Sequence, residues 1–355
     1  MSQPYVILDS GAYTAFTKGA PIILEKYIKF IKKYQHLFQG GFVNLDVIGD
    51  GAGSYHNWRK MLEAGVNSIP VYHLGTDEKW LKKYIHQTEY IAIGAIANMN
   101  TKRRMIGLAR IWKKYLMDEN GVAKYKVHGL GVTSPKIVQM FPWYSVDSSK
   151  ATKSAAYGKI LLPTLTNIHN DDEGNIQYQK DFTRMQEMVI STQKTSIAGA
   201  TTAYLSLPKT VKDAYTEYIH DKGYSVSNGT TQERILTKAD KKLLKRLEEK
   251  GHELYNYTPL FEQEEPKVKM ERTTKNMIPL NADWNNRLLW NLDFWKDFNT
   301  AIPTPMIYHV ASSQDHLGKV LSKELPILIS YYHLQNEKGS LMKLLLKESG
   351  GKNEN

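Results

Sequence analysis

The first half of the chain alternates between short apolar runs and longer segments with helical periodicity. The apolar runs are rich in β-forming residues and cover 5–11, 41–50, 68–75, 90–96, 125–132 and 143–149, with 158–163 as a seventh candidate. Between them, apolar residues recur three or four positions apart over 23–38, 54–65, 77–87, 102–117 and 134–141. Strands and helices that alternate in this way predict βαβ units and a parallel sheet.

The ends of these runs favour one of two parallel architectures. A polar residue or a glycine lies at or just past the C-terminal end of six runs, at Asp9, Asp46, His73, Gly94, Gly129 and Asp147. In a (β/α)8 barrel those strand ends converge on one mouth, where active sites form. In an open doubly wound sheet, active sites form only at the switch point of the strand order, so polar ends on six strands would be unusual. We therefore expect an α/β fold, a TIM-like (β/α)8 barrel.

The pattern weakens after about residue 165, and the second half is harder to assign. The segment 167–181 is polar and suggests an excursion, 237–255 has a helical pattern, and 262–276 is charged like a linker or exposed loop. The apolar run 323–334 is a candidate for closing the core. We expect residues 1–205 to form the main part of the barrel. We expect residues 206–355 to be a mostly helical region that partly completes the barrel and is a candidate for nucleic-acid contact.

The composition favours a polyanionic partner and excludes sites that require cysteine. The 355 residues carry a formal net charge of +11, which favours a polyanionic partner: nucleic acid, or less often a membrane surface. A lysine-rich proteome is the alternative explanation. There is no cysteine, which excludes disulfides and thiolate zinc sites. No apolar run approaches the ~20 residues that span a bilayer, and the N-terminus has no signal-peptide pattern. We expect an intracellular protein without a membrane partner.

Three of the polar strand ends are carboxylates: Asp9, Asp46 and Asp147. A carboxylate at the edge of an apolar strand is costly to desolvate, so it usually has a partner or a chemical task. Paired carboxylates flanking a sugar are the usual groups that cleave a glycosidic bond. The alternative is that each aspartate caps the helix that follows it.

A basic segment follows directly on Asp147. Lys150, Lys153 and Lys159 lie beside the candidate site, as expected for side chains that contact the phosphates around a reacting nucleotide. A solvated helix face is the alternative for such lysines. His73 has no accompanying metal-ligand pattern, so ligand contact or packing is expected there, and no metal site.

Six ordered motifs resemble those of the tRNA-guanine transglycosylase superfamily, nearest its shorter members that put 7-deazaguanine bases into DNA. The motifs are "DSGAYTAF" (9–16), "NLDVIGD" (44–50), "PVYHLG" (70–75), "YIAIGAIA" (90–97), "VHGLGVTSP" (127–135) and "YSVDSSKAT" (144–152). Each motif is short, and their order and spacing over about residues 5–160 carry the resemblance. It says little about residues 165–355.

The resemblance implies a division of labour among the three carboxylates. Asp147 would attack C1′ of a target deoxyguanosine and form a covalent glycosyl-enzyme. Asp9 would carry protons for the departing and incoming bases. Asp46 would bind the exocyclic amine and ring N–H of the base.

The resemblance also implies a base pocket. Gly94 and Ala95 would meet the base through backbone groups, and Gly129 would line the pocket. His73 stands where the family usually has glutamine, and Ala95 where it has a second glycine. Both changes touch the base pocket and leave the identity of the incoming base open.

The implied function is exchange of guanine in DNA for a 7-deazaguanine such as the 7-cyano form, without a metal or redox cofactor. The family's structural zinc needs three cysteines and a histidine, so this chain must lack that subdomain or build it without metal. Missing tRNA-enzyme insertions favour DNA over tRNA, and a virus-encoded protein in a bacterial host would fit. The alternatives are the same exchange on tRNA, a nucleic-acid N-glycoside hydrolase, and a non-catalytic nucleic-acid-binding barrel. Oligomeric state and sequence context stay open.

Overall fold

A computed structural model describes most of the first half of the chain and part of the second. The described residues are 5–95, 99–132, 134–190, 203–204, 207–226, 277–281, 283–301, 307–312 and 327–330. The chain divides into two compact units, Met1–Lys150 with Trp295–Asn355, and Ala151–Phe294. The helix expected over 237–255 and the linker expected over 262–276 lie outside the described residues.

Within its described residues, the first unit is organised around eight parallel strands, numbered in chain order. They are β1 (Val6–Asp9), β2 (Gly41–Phe42), β3 (Val71–His73), β4 (Tyr90–Gly94), β5 (Lys126–Gly129), β6 (Ser145–Ser148), β11 (Ile307–Ser312) and β12 (Ile327–Ser330). Their order in the sheet is β2-β1-β12-β11-β6-β5-β4-β3, and every neighbouring pair is parallel. The C-terminal region therefore supplies two of the eight strands.

The two end strands of this order are joined to each other by backbone hydrogen bonds. The N–H of Asn44 donates to the carbonyl of Ile69 at 2.8 Å, and the N–H of Ile69 donates to the carbonyl of Phe42 at 2.7 Å. Neighbouring strands are ~4.8 Å apart, so the ends of a flat eight-stranded sheet would be more than ~30 Å apart. The sheet therefore curls until the end of β2 meets the residues that precede β3, and the expected TIM-like barrel stays a prediction.

Helices follow most of the strands. They are α1 (Ala12–Lys18), α2 (Leu24–Tyr34), α3 (Gly51–Glu63), α4 (Glu78–Ile85), α5 (Thr101–Ile111), α6 (Pro135–Met140) and α7 (Lys150–Ala156). A π-helical turn, Trp112–Leu116, extends α5. The apolar periodicity predicted α2 to α6 to within a few residues, because each presents an apolar stripe to the sheet, as Tyr27 and Ile31 do on α2.

An apolar layer lies next to the polar strand ends. Its members are Ile7, Val43, Ile69, Val71, Ala92 and Leu328. Ile7 precedes Asp9 by two residues, and Val71 precedes His73 by two. Successive side chains of a strand point to opposite faces, so residues two apart share a face. The polar residues thus stand on the same face as this apolar layer, at the C-terminal edge of the sheet.

The second unit has its own core and a different sheet. β7 (Lys159–Asn170) and β8 (Ile176–Val189) form an antiparallel hairpin, and β9 (Tyr224–Ser225) pairs with β10 (Ile278–Pro279). The hairpin packs against α8 (Lys209–Asp221) and α9 (Trp284–Ala301) through a cluster that includes Ile160, Leu162, Tyr215, Tyr218 and Trp290.

This second core changes two expectations. The run 158–163 begins the hairpin rather than a seventh strand of the parallel sheet, and the polar segment 167–181 forms the hairpin's turn and parts of both its strands. The expected domain boundary at 205/206 falls inside the second unit, because the hairpin buries its apolar side chains against helices that lie beyond residue 205. Among the described residues, no helix is long and apolar enough to cross a membrane.

Candidate active site at the strand ends

Asp9 ends β1 with its side chain half-buried. Burial, followed by the charges of Asp46 and Asp147, raises the pKa of its carboxyl to about 7. Backbone N–H groups oppose this shift, and that of Gly11 donates to Oδ2 at 3.0 Å. A carboxyl that titrates near neutral pH can both give and accept a proton under ordinary conditions.

The capping alternative fails for Asp9 and Asp46. The N-cap of α1 is Gly11, in the left-handed conformation with φ of 78°. The N-cap of α3 is Asp50, whose carboxylate accepts from the N–H groups of Ala52 and Gly53. Both strand-end carboxylates are therefore left for other partners.

Asp46 is held between two strands. Its Oδ2 lies 2.7 Å from Nε2 of His73, and its Oδ1 accepts from the hydroxyl of Ser10 at 3.4 Å. The N–H of Gly49 donates to Nδ1 of the same histidine at 3.4 Å. Since Nδ1 accepts, Nε2 carries the proton and donates it to Asp46. The hydrogen-bond network thus assigns one tautomer to His73 and one orientation to Asp46.

Asp147 lies near the end of β6, with its side chain 10% exposed. The N–H of Gly131 donates to Oδ1 at 2.8 Å. The Nε2 atom of His128 lies 3.3 Å from the same oxygen, without the alignment of a hydrogen bond. Within the described part of the chain, Oδ2 accepts no hydrogen bond. One oxygen of Asp147 is therefore anchored and the other is available for chemistry.

Gly94 and Ala95 show why small residues follow β4. A Cβ at position 94 would lie 3.0 Å from Cδ2 of His73 and 3.1 Å from Cγ1 of Val71. Ala95 is exposed and has a φ of 61°, a conformation that glycine adopts far more easily. Such backbone strain is typical of functional sites. The resemblance places a glycine at this position, and the left-handed φ explains that preference.

Gly129 is small for another reason. A Cβ there would lie 2.6 Å from Cγ2 of Val132 and 3.0 Å from the ring of Trp143. The space that a side chain at position 129 would occupy is thus filled by Val132 and Trp143. This space lies on the opposite side of the strand from His128. This contact gives no support to the prediction that Gly129 lines a base pocket, which stays a prediction.

The three candidate lysines fall in both units. Lys150 begins α7, and its backbone N–H donates to the hydroxyl of Ser148 at 2.9 Å. Lys153 and Lys159 belong to the second unit, on α7 and β7. Their contact with phosphates stays a prediction.

The sequence analysis missed three buried polar residues near Asp147, namely His128, Ser145 and His309, and the partly buried Tyr90 that lies beyond Ser145. His128, Ser145 and His309 are fully buried. Burial lowers the pKa of His309 well below its usual value, and the neighbouring His128 lowers it further. The available signal was the strand period of two, because Ser145 precedes Asp147 by two positions and so shares its face.

Within the described ranges, no group of three or more His, Cys, Asp or Glu side chains is placed to hold a metal ion. No protein-family model matches this chain, and no curated protein and no solved structure matches it either. The geometry of the site and the motif resemblance are therefore what bear on function.

Proposed function

We propose that this protein exchanges guanine in DNA for a 7-deazaguanine base, such as 7-cyano-7-deazaguanine, through a covalent intermediate on Asp147. The carrying observation is the pKa of Asp9, about 7, in a site shared with Asp46 and Asp147. Such a group can protonate a departing base at neutral pH and later deprotonate an incoming one. The proposed scaffold is a closed (β/α)8 barrel, whose mouth collects residues from several strand ends.

In the first step, Asp147 attacks the sugar. Its Oδ2 forms a bond to C1′ as the bond from C1′ to N9 of guanine breaks. The electron pair of the broken bond stays on guanine, which is a poor leaving group and takes a proton from Asp9. The products are a glycosyl ester of Asp147, neutral guanine and ionised Asp9.

In the second step, the incoming base reverses this chemistry. Ionised Asp9 takes the proton from N9–H of the 7-deazaguanine, and N9 attacks C1′. The bond from C1′ to Oδ2 breaks, and its electrons return to the carboxylate of Asp147. Two inversions give retention of configuration, and neither step requires a metal or a redox cofactor.

Asp46 and His73 serve base recognition in this proposal. The oriented Asp46 carboxylate, held by His73 at 2.7 Å, accepts hydrogen bonds from the exocyclic amine and ring N–H of guanine. A site built to accept hydrogen bonds rejects bases that lack those donors, because its buried acceptors would then be unpaired.

The net charge of +11 supports a nucleic-acid substrate. The target base must leave the helical stack for its C1′ to be reached. Lys150, Lys153 and Lys159 are proposed to contact the flanking phosphates. DNA is preferred over tRNA on the motif resemblance.

The test is incorporation of labelled guanine, or labelled 7-cyano-7-deazaguanine, into duplex DNA and into tRNA at one defined salt concentration. We expect the wild type to incorporate label into DNA and the Asp147→Asn variant to lose this incorporation. The Asp172→Asn variant is the control and should keep it, because Asp172 lies in the exposed turn of the second-unit hairpin. Label in tRNA alone would favour the tRNA enzyme, and guanine release without incorporation a hydrolase. Binding without release or incorporation would indicate a non-catalytic barrel.

A further inference from the structure

A chain of buried polar groups leads from β4 to Asp147. The hydroxyl of Tyr90 lies 2.9 Å from Oγ of Ser145, and that Oγ lies 2.7 Å from Nδ1 of His128. Nε2 of His128 then lies 3.3 Å from Oδ1 of Asp147. The four residues stand on β4, β5 and β6, which are neighbours in the sheet. Buried polar groups in such a series stabilise one arrangement only when all of them are satisfied.

The chemistry of Asp147 sets the direction of every proton in this chain. An ionised carboxylate only accepts, so Nε2 of His128 carries the proton in any arrangement in which His128 donates to Asp147, and Nδ1 of a neutral ring then accepts from the hydroxyl of Ser145. That hydroxyl in turn accepts from Tyr90. Burial raises the pKa of Tyr90, so its hydroxyl stays protonated and can donate. In this arrangement all three donors point toward Asp147.

We propose that His128 is a positioning residue for Asp147, held in its Nε2–H tautomer by Ser145 and Tyr90. The role rests on the proposed function of Asp147 as nucleophile. His128 and the N–H of Gly131 both act on Oδ1, one at 3.3 Å and the other at 2.8 Å. This arrangement turns Oδ2 toward the sugar and stabilises the carboxylate when it departs from C1′ in the second step.

The contact between His128 and Asp147 is close but not aligned. Catalytic hydrogen bonds are often long or poorly aligned before substrate binds, and they tighten in the reacting complex. The ring of His128 also has little room to rotate away. The ring of His309 meets it edge to face at 5.6 Å between centroids.

Two variants separate positioning from simple packing. In His128→Gln the amide nitrogen can take the place of Nε2 and reach Asp147, whereas in His128→Asn the shorter side chain reaches only toward Ser145. We expect the Asn variant to lose about 10- to 100-fold in kcat, with the KM for guanine unchanged. The Gln variant should stay within about threefold of the wild type. Equal losses in both variants, or a change in KM rather than kcat, would overturn the positioning role.

A second measurement does not depend on turnover. In the full-length protein labelled with ¹⁵N-histidine, the His128 resonances, assigned by their loss in His128→Gln, should show a neutral ring protonated on Nε2. A ring protonated on Nδ1 overturns the inference even where the wild type exchanges bases. If the wild type exchanges no bases, the proposed function is overturned instead. The ring tautomer then still tests the contact, because only a ring protonated on Nε2 can donate to Asp147.

Discussion

Nε2 of His73 lies 2.7 Å from Oδ2 of Asp46, so side chains that follow two successive strands meet at the C-terminal edge of the sheet. The pair is nearly buried, with 4% and 9% of the two side chains exposed. The N–H of Gly49 donates to Nδ1 of His73, so the histidine can donate only from Nε2. These contacts fix the orientation of the Asp46 carboxylate.

Replacing His73 should affect base recognition according to what the new side chain can donate. His73→Gln keeps an amide donor for Asp46 and should retain most of kcat/KM for guanine incorporation. His73→Leu removes the shorter of the two hydrogen bonds to a nearly buried carboxylate, which costs about 1.5–3 kcal/mol and corresponds to a loss of about 10- to 100-fold. Steady-state incorporation kinetics measure both, with exposed His86→Gln as the control. Equal activity of the Leu and Gln variants would show that the contact does not orient Asp46.

Gly94→Ala tests the same pair from the neighbouring strand. The added methyl would lie 3.0 Å from Cδ2 of His73, so the imidazole must shift by a few tenths of an ångström, which disturbs its contact with Asp46. We expect the KM for guanine to rise about tenfold, with a loss of about 1–2 kcal/mol in the free energy of unfolding. Gly107→Ala is the matched control, because the three atoms nearest its methyl all belong to the flexible side chain of Leu74, the closest at 3.3 Å. An unchanged KM in Gly94→Ala would count against a pocket at this strand end.

Asp9 should make the folded protein less stable as pH rises. Its folded pKa, about 7, lies above the usual 3.8 because burial and two neighbouring carboxylates disfavour the charge. The folded state therefore holds a proton that the unfolded state releases. The resulting stability is complete below the unfolded pKa and is lost as pH rises through about 7.

Asp9→Asn removes this dependence and should be more stable than the wild type in alkaline buffer. The advantage in free energy of unfolding should be on the order of 1–2 kcal/mol larger at about pH 8.5 than at about pH 5.5. Urea denaturation at both values measures it, with Asp172→Asn as a control that should show no such difference. The same variant should lose about 100-fold or more in base exchange and bind DNA within a few-fold of the wild type. A pH-independent difference would remove the physical basis for Asp9 as proton carrier.

Gly129→Ala separates packing from recognition. The added methyl would meet Val132 at 2.6 Å and the ring of Trp143 at 3.0 Å, so the free energy of unfolding should fall by about 1–3 kcal/mol. The KM for guanine should change little at a temperature where the variant is folded. A stable variant with a raised KM would instead restore the predicted place of Gly129 in the base pocket.

The sequence predicted most of the strands and helices before residue 150 because each of these carries a strong period. The run 5–11 contains β1 (Val6–Asp9), and the segment 23–38 contains α2 (Leu24–Tyr34). The strand 307–312 was not predicted, because a short apolar run far along the chain has no local feature that tells which strands it will pair with. Its partners, β6 and β12, are set by the tertiary fold. The hairpin of the second unit was missed because its exposed half is polar, without a clean alternation.

The candidate site was predictable only in part. Strand-end position identified Asp9, Asp46, His73 and Asp147, since parallel strands bring their C-terminal ends to one edge. The partner of each carboxylate was not predictable, because pairs such as His128 and Asp147 depend on register between strands. The shifted pKa of Asp9 likewise depends on burial, which a sequence does not show.

The most direct test of the central claim is to find the residue that becomes attached to the sugar. Full-length protein is incubated with duplex DNA, denatured and digested, and the adduct is located by mass spectrometry, with Asp147→Asn and Asp9→Asn in parallel. The account predicts a deoxyribosyl ester on Asp147 in the wild type and no adduct in Asp147→Asn. An adduct on Asp9, or base exchange that persists in Asp147→Asn, would contradict it.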